Sequence, residues 1–135
     1  MNLLKSAITL ARLAEEEATR AGLKMTFCVI DIHGNVVLKH RMDGAILISV
    51  EMAERKAFTV AALHIKTSEI SAGSAPGQPF SLLATAAGDR YWIDGGGVPF
   101  HVGGEFVGGF GVSGGTVPQD VAVAESAIRT FEESQ

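Results

Sequence analysis

Three charged residues, Arg41, Asp43 and Lys56, stand where the sequence could build a polar site. Arg41 and Asp43 flank the predicted end of a strand, and Lys56 lies on the helix predicted to follow. Polar groups that converge at strand ends commonly line ligand pockets. A local ion-pair network is the alternative interpretation, and it would contribute little to stability if it were exposed. We expect these residues to bind a ligand, with Arg41 and Lys56 pairing an acidic group.

The glycine-rich stretch at 94–120 supplies a second group of candidate binding residues. It holds ten of the sixteen glycines, which alternate with Val and Phe. Glycine lets the backbone adopt positive φ and lets another backbone or a flat ligand approach closely, at a cost of about 0.5–1 kcal/mol relative to alanine. A flexible linker is the alternative, but linkers are polar and Ser-rich. We expect a ligand to contact Gly96, Gly97, Pro99, Ser113, Gly114 and, in the next helix, Asp120.

Two sequence motifs match within this stretch, and neither defines an enzyme. Residues 109–114 fit G-x-G-x-x-G, but only one predicted helix remains after them, which excludes a dinucleotide-binding fold. Residues 111–115 fit G-x-S-x-G and make Ser113 a candidate nucleophile. Hydrolases with this motif place their histidine after the serine, whereas no histidine follows His101. The alternative is that Ser113 lies at a helix N-terminus, where the helix dipole favours an anion and Asp120 is a stabilising charge.

Potential metal ligands are present, but their spacing does not define a metal site. The histidines lie far apart and lack the spacings of a zinc site. A Glu-x-x-Glu pair at 51–54 could hold a hard cation, although a solvated helical face is the commoner meaning. Cys28, the only cysteine, lies in an apolar run that predicts a small buried side chain. The four histidines are His33, His40, His64 and His101.

The first half of the chain is predicted to form a helix, a hairpin and a second helix. Apolar residues at helical spacing predict a helix over 3–21, with Gly22 after its end. An apolar run, turn residues and a second apolar run predict a hairpin over 24–42. Ser49 is a plausible N-cap for a helix that ends near Leu63, with Lys56 away from its apolar stripe.

The second half is predicted to form three strands and a last helix. Residues 66–70 suit a helical turn, 72–79 a loop and 90–93 a short strand. Two further strands meet at a turn of Gly103 and Gly104. Thr116, with Pro118 and Gln119 behind it, predicts a capping box at the start of the last helix. The whole order predicts an α+β fold in which helices pack against an antiparallel sheet.

Length and composition predict one domain, 1–135, that does not bind nucleic acid or a membrane. A chain of 135 residues with 47% hydrophobic residues is long enough to bury a core. Its net charge of −4 lacks the basic field that binds phosphate or anionic lipid. The N-terminus lacks the pattern of a signal peptide, and no apolar run approaches a membrane span. We expect a cytoplasmic protein.

The sequence resembles the GlcG/HbpS family, also called the haem-degrading-domain family, which includes the C-terminal domain of PduO-type proteins. The resemblance extends over almost the whole chain, and the order of its motifs makes it specific. The segments that carry it are 29–31 with 34–35, then 41–45, 56–59, 76–77, 95–99 and 108–115 with 119–120.

This resemblance implies a profilin-like α-β-α layered fold, homo-oligomers, and binding of haem or another small molecule in at least some members. Other similar proteins are encoded beside enzymes of glycolate, diol or glycerol utilisation, and one branch is a hydroxylaminobenzoate lyase. The family has no fixed haem-ligand motif that maps onto this sequence. His40, His101 and Met42 are nevertheless chemically able to be axial ligands.

Three functions therefore follow as expectations. The first is a cytoplasmic, oligomeric small-molecule-binding protein whose leading ligand is haem or a related tetrapyrrole. The second is a lyase-like enzyme on a small aromatic or organic acid, with Asp43 or Asp120 as acid or base. The third is an accessory protein of a utilisation pathway. A carboxylate buried beside Lys56 with a shifted pKa would favour the enzyme.

Overall fold

The computed structural model describes the backbone of residues 1–135 and the side chains of all but residues 84 and 87. Within that part, four α-helices and four strands form an α+β fold, as predicted. No helix there is long and apolar enough to cross a membrane. In chain order the elements are α1 (Leu3–Arg20), β1 (Thr26–Asp31), β2 (Val36–Arg41), α2 (Ile48–Leu63), α3 (Thr67–Ala72), a 3₁₀ helix (Leu83–Asp89), β3 (Gly97–Val102), β4 (Glu105–Ser113) and α4 (Val117–Glu133).

The strands form one antiparallel sheet in the order β2-β1-β4-β3. The hairpin predicted over 24–42 is confirmed as β1 and β2, and the turn at Gly103 and Gly104 joins β3 to β4. Thr26 pairs with Arg41 on one side and with Ser113 on the other. The end of β2, the start of β1 and the end of β4 therefore lie side by side at the same end of the sheet.

The two faces of the sheet are covered by different helices, which gives α-β-α layers. On one face, α1 and α4 pack against large side chains of the sheet, including Phe27, Phe100 and Phe110. On the other face, α2 packs with its alanines against Cys28 and Ile30. The small side chains of α2 bring this helix closer to the sheet than large ones would allow.

Glycines of β4 allow this close approach of α2. A Cβ atom added at Gly109 would overlap the carbonyl oxygen of Ala57, and one added at Gly111 would overlap that of Ala53. The prediction that the glycines serve a close approach is confirmed. At these two positions the neighbour is the backbone of a helix in the same chain.

Ser49 is not an N-cap, contrary to the prediction. The helix α2 begins at Ile48, so Ser49 lies in its first turn and is buried. Its hydroxyl donates to the carbonyl of Ile46 at 2.6 Å and lies 2.8 Å from the hydroxyl of Thr26. Thr26 is buried in the sheet and needs a hydrogen-bond partner, which explains why a serine stands inside the helix.

The strand predicted at 90–93 is wrong, whereas the cap predicted at Thr116 is confirmed. Residues 91–93 run beside α2 without strand pairing, and the N–H of Trp92 donates to the hydroxyl of Thr59 at 2.8 Å. A helix side chain thus takes the place of a strand neighbour. At the start of α4, Thr116 and Gln119 form the reciprocal capping box.

Candidate functional site

A buried ion pair between Lys56 and Asp120 joins three elements of the fold. Lys56 comes from the middle of α2, and Asp120 from the first turn of α4. Their side chains are 3% and 4% exposed, and Nζ lies 2.9 Å from Oδ2. Nζ also donates to the carbonyl of Val112 in β4 at 2.9 Å, and the N–H of Gly115 donates to Oδ1 of Asp120 at 2.9 Å. Every charged atom of the pair therefore has a partner close to the end of β4.

Burial raises the pKa of Asp120 above its ordinary value, because the carboxylate loses water that would stabilise its charge. The ammonium of Lys56 and the N–H of Gly115 act in the opposite direction, since both favour the ionised form. Desolvation is the larger effect. Asp120 is therefore easier to protonate than an exposed aspartate, which is a property required of a general acid.

Gly96 and Gly97 pack directly around this pair. Gly96 has φ of +124°, and an added Cβ atom would lie 2.8 Å from Nζ of Lys56. The N–H of Gly97 donates to the hydroxyl of Thr67 at 2.8 Å. A Cβ atom added at Gly97 would lie 2.8 Å from the carbonyl oxygen of Lys56, so internal packing requires both glycines, and the backbone donor of Gly97 is already used.

Ser113 and Gly114 connect the two backbone groups that hold the ion pair. They lie between the carbonyl of Val112 and the N–H of Gly115, at the end of β4. Gly114 has φ of +138°, and an added Cβ atom would lie 2.6 Å from the carbonyl oxygen of Lys24. Among the predicted site residues, the structure brings together Lys56, Gly96, Gly97, Ser113, Gly114 and Asp120.

Arg41, Asp43 and Pro99 lie apart from this group. Arg41 is exposed at the end of β2, two strands away from β4, and its Nη2 donates to the carbonyl of Ala45 at 2.6 Å. Asp43 is exposed in the turn that follows. Pro99 lies in the edge strand β3. The predicted residues therefore do not form one pocket.

A groove of about 550 Å³ runs between β3 and α4 and includes Pro99. His101 lies in it, with Nδ1 3.8 Å from Glu132 and its ring beside Phe106. Apolar groups come from Val98, Pro99 and Ile128. The charged lining is mixed, with two cations, Lys66 and Arg129, and three glutamates, Glu125, Glu132 and Glu133. Sequence reasoning singled out Pro99 and His101 but missed the two cations. Their place in the groove depends on contacts between distant parts of the chain.

A second histidine, His40, lies in a smaller groove of about 180 Å³ between α1 and β2. Its Nε2 is 2.9 Å from Glu15, and its ring lies parallel to Phe27 with centroids 6.1 Å apart. His40 and His101 are similarly exposed, at 42% and 40% of their side chains, and each has a glutamate neighbour. These two histidines are therefore matched in their surroundings.

The acidic pair on α2 is engaged in ion pairs. Glu51 lies 2.9 Å from Arg55, and Glu54 lies 2.6 Å from Lys39. Among the side chains that the structure describes, no three His, Cys, Asp or Glu residues are grouped so that they could hold a metal ion. The solvated, ion-paired helical face is the interpretation that fits these contacts.

The family model described as haem degrading protein HbpS-like matches residues 4–129. The chain belongs to the HbpS-like family. It is 37% identical over 130 residues to an uncharacterized 15.0 kDa protein in the dhaT-dhaS intergenic region of Citrobacter freundii, covering 96% of this chain and 92% of that protein.

Solved structures of similar proteins share the HbpS-like fold. Protein ORFY of Klebsiella pneumoniae is 36% identical, with a TM-score of 0.89 and coverage of 96% of this chain and 89% of ORFY. A PduOC:heme complex is 33% identical, with a TM-score of 0.87 and coverage of 93% of this chain and 91% of PduOC.

Proposed function

We propose that this HbpS-like chain is a cytoplasmic, oligomeric protein that binds haem or a related tetrapyrrole. The observation that carries the proposal is the similarity to PduOC, which crystallised with heme and matches 93% of this chain. An acidic chain without a basic field also suits a small-molecule ligand better than a nucleic acid.

The groove between β3 and α4 contains a possible iron ligand, apolar groups and two cations, beside three glutamates. Its volume of about 550 Å³ is in the usual range for ligand pockets. The imidazole of His101 would hold the iron, and Val98 and Pro99 would offer apolar contacts to a porphyrin. Lys66 and Arg129 can pair propionates. Bound haem would supply a redox-active iron that the axial ligand and its surroundings tune.

This assignment changes the role proposed for Lys56. Its ammonium is 3% exposed and already paired with Asp120, so a propionate would have to displace a buried carboxylate. Lys66 is 41% exposed, so a ligand can reach its ammonium, although Glu125 at 3.6 Å would compete for it. We therefore propose that Pro99 contacts the ligand directly, while Lys56, Gly96 and their neighbours stabilise the strand ends beneath it.

A haemin titration followed by the absorption spectrum tests this proposal. We expect a saturable, sharp Soret band for the unchanged chain and for His40→Ala, and a shifted or weakened band for His101→Ala. His40→Ala is the matched control, because the two imidazoles are equally exposed and each neighbours a glutamate. Replacing Lys66 and Arg129 by alanine should weaken haemin but not haemin dimethyl ester, which has no free propionate.

Two results would contradict the proposal. A broad, non-saturating response of the unchanged chain would make haem binding nonspecific. A band that changes with His40→Ala and not with His101→Ala would move the site to the groove between α1 and β2, and it would remove the role given to the groove at β3.

A lyase-like enzyme is the second candidate function. The observation that favours it is that Asp120 is buried beside Lys56 and has a raised pKa. Asp120 would act as the acid or base on a small aromatic or organic acid. Loss of a hydroxylaminobenzoate, measured with the unchanged chain and with Asp120→Asn, tests this function. Equal rates in the two proteins would exclude Asp120 from the reaction.

An accessory role without a ligand has less support. That role would be favoured if a neighbouring subunit filled the space above the glycine-rich strands. Instead, α2 of the same chain covers Gly109 and Gly111. We therefore rank haem binding first and an enzymatic activity second.

A further inference from the structure

The imidazole of His101 has a neighbour on each of two sides in the groove between β3 and α4. Its Nδ1 lies 3.8 Å from Oε1 of Glu132, and the ring of Phe106 meets it at 69° with centroids 5.6 Å apart. The two nitrogens of a histidine ring point in different directions, and the partner of one decides which of them can hold a metal. A carboxylate at Nδ1 therefore leaves Nε2, the outer nitrogen, turned away from it and available to a ligand.

His40 shows the opposite arrangement at the other edge of the sheet. Its Nε2 lies 2.9 Å from Oε1 of Glu15, which is hydrogen-bond distance, so the carboxylate occupies the outer nitrogen. The ring also lies parallel to the buried Phe27. His40 and His101 are similarly exposed, but each neighbouring glutamate faces a different nitrogen. The position of the carboxylate thus distinguishes the two histidines as iron ligands.

Two grooves meet at the pair of His101 and Glu132. One is the groove between β3 and α4, and the other, of about 330 Å³, includes the turn of Gly103 and Gly104. Both grooves are lined by His101 and Glu132, whose side chains are 40% and 45% exposed. A ligand can therefore reach the imidazole without the displacement of a buried side chain.

The backbone of α4 fixes where Glu132 can reach. Glu132 lies in the last turn of this helix, next to the buried Phe131, whose ring packs edge-on against Phe100 of β3 with centroids 5.1 Å apart. The 3.8 Å between Nδ1 and Oε1 is longer than a hydrogen bond. Hydrogen bonds of functional sites are often long in the unliganded protein and tighten when the ligand binds. The flexible end of the glutamate can close this gap.

We propose that Glu132 is the positioning residue of the haem ligand, which holds the imidazole of His101 at Nδ1 and leaves Nε2 to bind the iron. The inference rests on the proposed haem site and assigns a role beside it. A carboxylate at the far nitrogen of a ligating histidine fixes the ring and raises the basicity of the nitrogen that binds the metal. Its negative charge also favours ferric over ferrous iron.

The midpoint potential of the haem-loaded protein, measured by spectroelectrochemical titration, tests this role. Glu132→Gln keeps an oxygen that can accept from Nδ1 and removes the charge. We expect it to reduce the preference for ferric over ferrous iron by about tenfold, which raises the midpoint potential by about 60 mV. Glu133→Gln is the matched control, because it removes the same charge from the next residue of α4 in the same groove. It should shift the potential far less.

The affinity for haemin tests the position of the ring separately from the charge. Glu132→Ala removes both the charge and the acceptor at Nδ1, so we expect it to weaken haemin binding by about tenfold. Glu132→Gln should weaken binding less than Glu132→Ala does, because the amide oxygen still orients the imidazole. Equal affinities of Glu132→Ala and the unchanged chain would contradict the positioning role.

The outcomes also separate the role of Glu132 from the haem site itself. If Glu132→Gln and Glu133→Gln shift the potential equally, Glu132 acts only as one charge among several, and the positioning role is wrong while the haem site stands. If His101→Ala leaves the Soret band unchanged, the haem site in this groove is wrong, and the role of Glu132 is wrong with it. Circular dichroism of each variant verifies that the fold is retained.

Discussion

Removing Lys56 should destabilise the protein strongly, because it leaves Asp120 charged, buried and without its cation. In the structure the carboxylate would keep one hydrogen bond, from the N–H of Gly115, and lose the ammonium at 2.9 Å. Removal of one partner from a buried ion pair typically costs about 3–5 kcal/mol of unfolding free energy. We expect Lys56→Met to lose about that amount at neutral pH.

A double variant separates the lost charge balance from lost packing. Lys56→Met with Asp120→Asn leaves no buried charge, and the asparagine oxygen can still accept from Gly115. The carbonyl of Val112 and the NH2 group of the asparagine then lack the partner that Nζ occupied, each at a cost of about 1–3 kcal/mol, whereas an unpaired buried charge costs more. The double variant should therefore be more stable than Lys56→Met alone. If the loss came from packing, the second substitution would restore nothing.

The pH dependence gives a third comparison. A carboxyl whose pKa is raised in the folded state binds more protons there than in the unfolded chain. Its contribution to stability is therefore fully present below the unfolded pKa, and it is lost as the pH rises through the folded pKa. Asp120 has a raised pKa in the folded protein, and removal of Lys56 should raise it further. The deficit of Lys56→Met should thus shrink as the pH falls from about 8 to about 5.

Urea unfolding, monitored by the fluorescence of Trp92, the single tryptophan, measures the free energy of unfolding of each variant and its dependence on pH. The reasoning is refuted if Lys56→Met lies within about 1 kcal/mol of the unchanged chain at neutral pH. It is equally refuted if the deficit grows at lower pH, since protonation of Asp120 would then not relieve it.

Two further predictions test the packing of α2 on the sheet. Gly111→Ala should lower the free energy of unfolding in urea by about 3 kcal/mol or more, because the new methyl group would overlap the carbonyl oxygen of Ala53. The control is Gly104→Ala, at a position with positive φ but open space, and it should lower that free energy by only about 1–2 kcal/mol. Equal losses in the two variants would contradict the packing argument. Burial raises the pKa of Cys28 to about 12. A thiol reagent near neutral pH should therefore label the folded protein far more slowly than the urea-unfolded chain. Rapid labelling of the folded protein would show that the strand beneath α2 is accessible.

Local patterns predicted most of the fold. The hairpin over 24–42 follows from two apolar runs around turn residues, and the cap at Thr116 follows from its box with Gln119. Each of these signals involves residues that are neighbours in sequence. The strand predicted at 90–93 failed because an aromatic run is equally suited to packing beside a helix, and the hydroxyl of Thr59 takes the N–H of Trp92.

Several residues predicted to bind a ligand lie together around Lys56 and Asp120, but their burial was not predicted. Lys56 was placed on the polar side of its helix because of its charge. Its spacing from Ala53 and Val60 would have put it on the buried face, and this signal was available. The groove with His101 was not predictable in the same way, because Lys66, just before α3, and Arg129, in α4, are separated in sequence by β3 and β4.

One face of the sheet is packed with large side chains and the other with glycine and alanine, so the two faces should respond differently to random substitution. Beneath α1 and α4, Phe27, Phe100 and Phe110 fill the space, so most replacements remove volume and leave a cavity. Beneath α2, glycine and alanine already have the smallest side chains, so nearly every replacement adds volume where a backbone stands in the way. A deep mutational scan should therefore find graded losses on the first face and abrupt ones on the second. Substitutions between α2 and the sheet should therefore be the least tolerated in this fold.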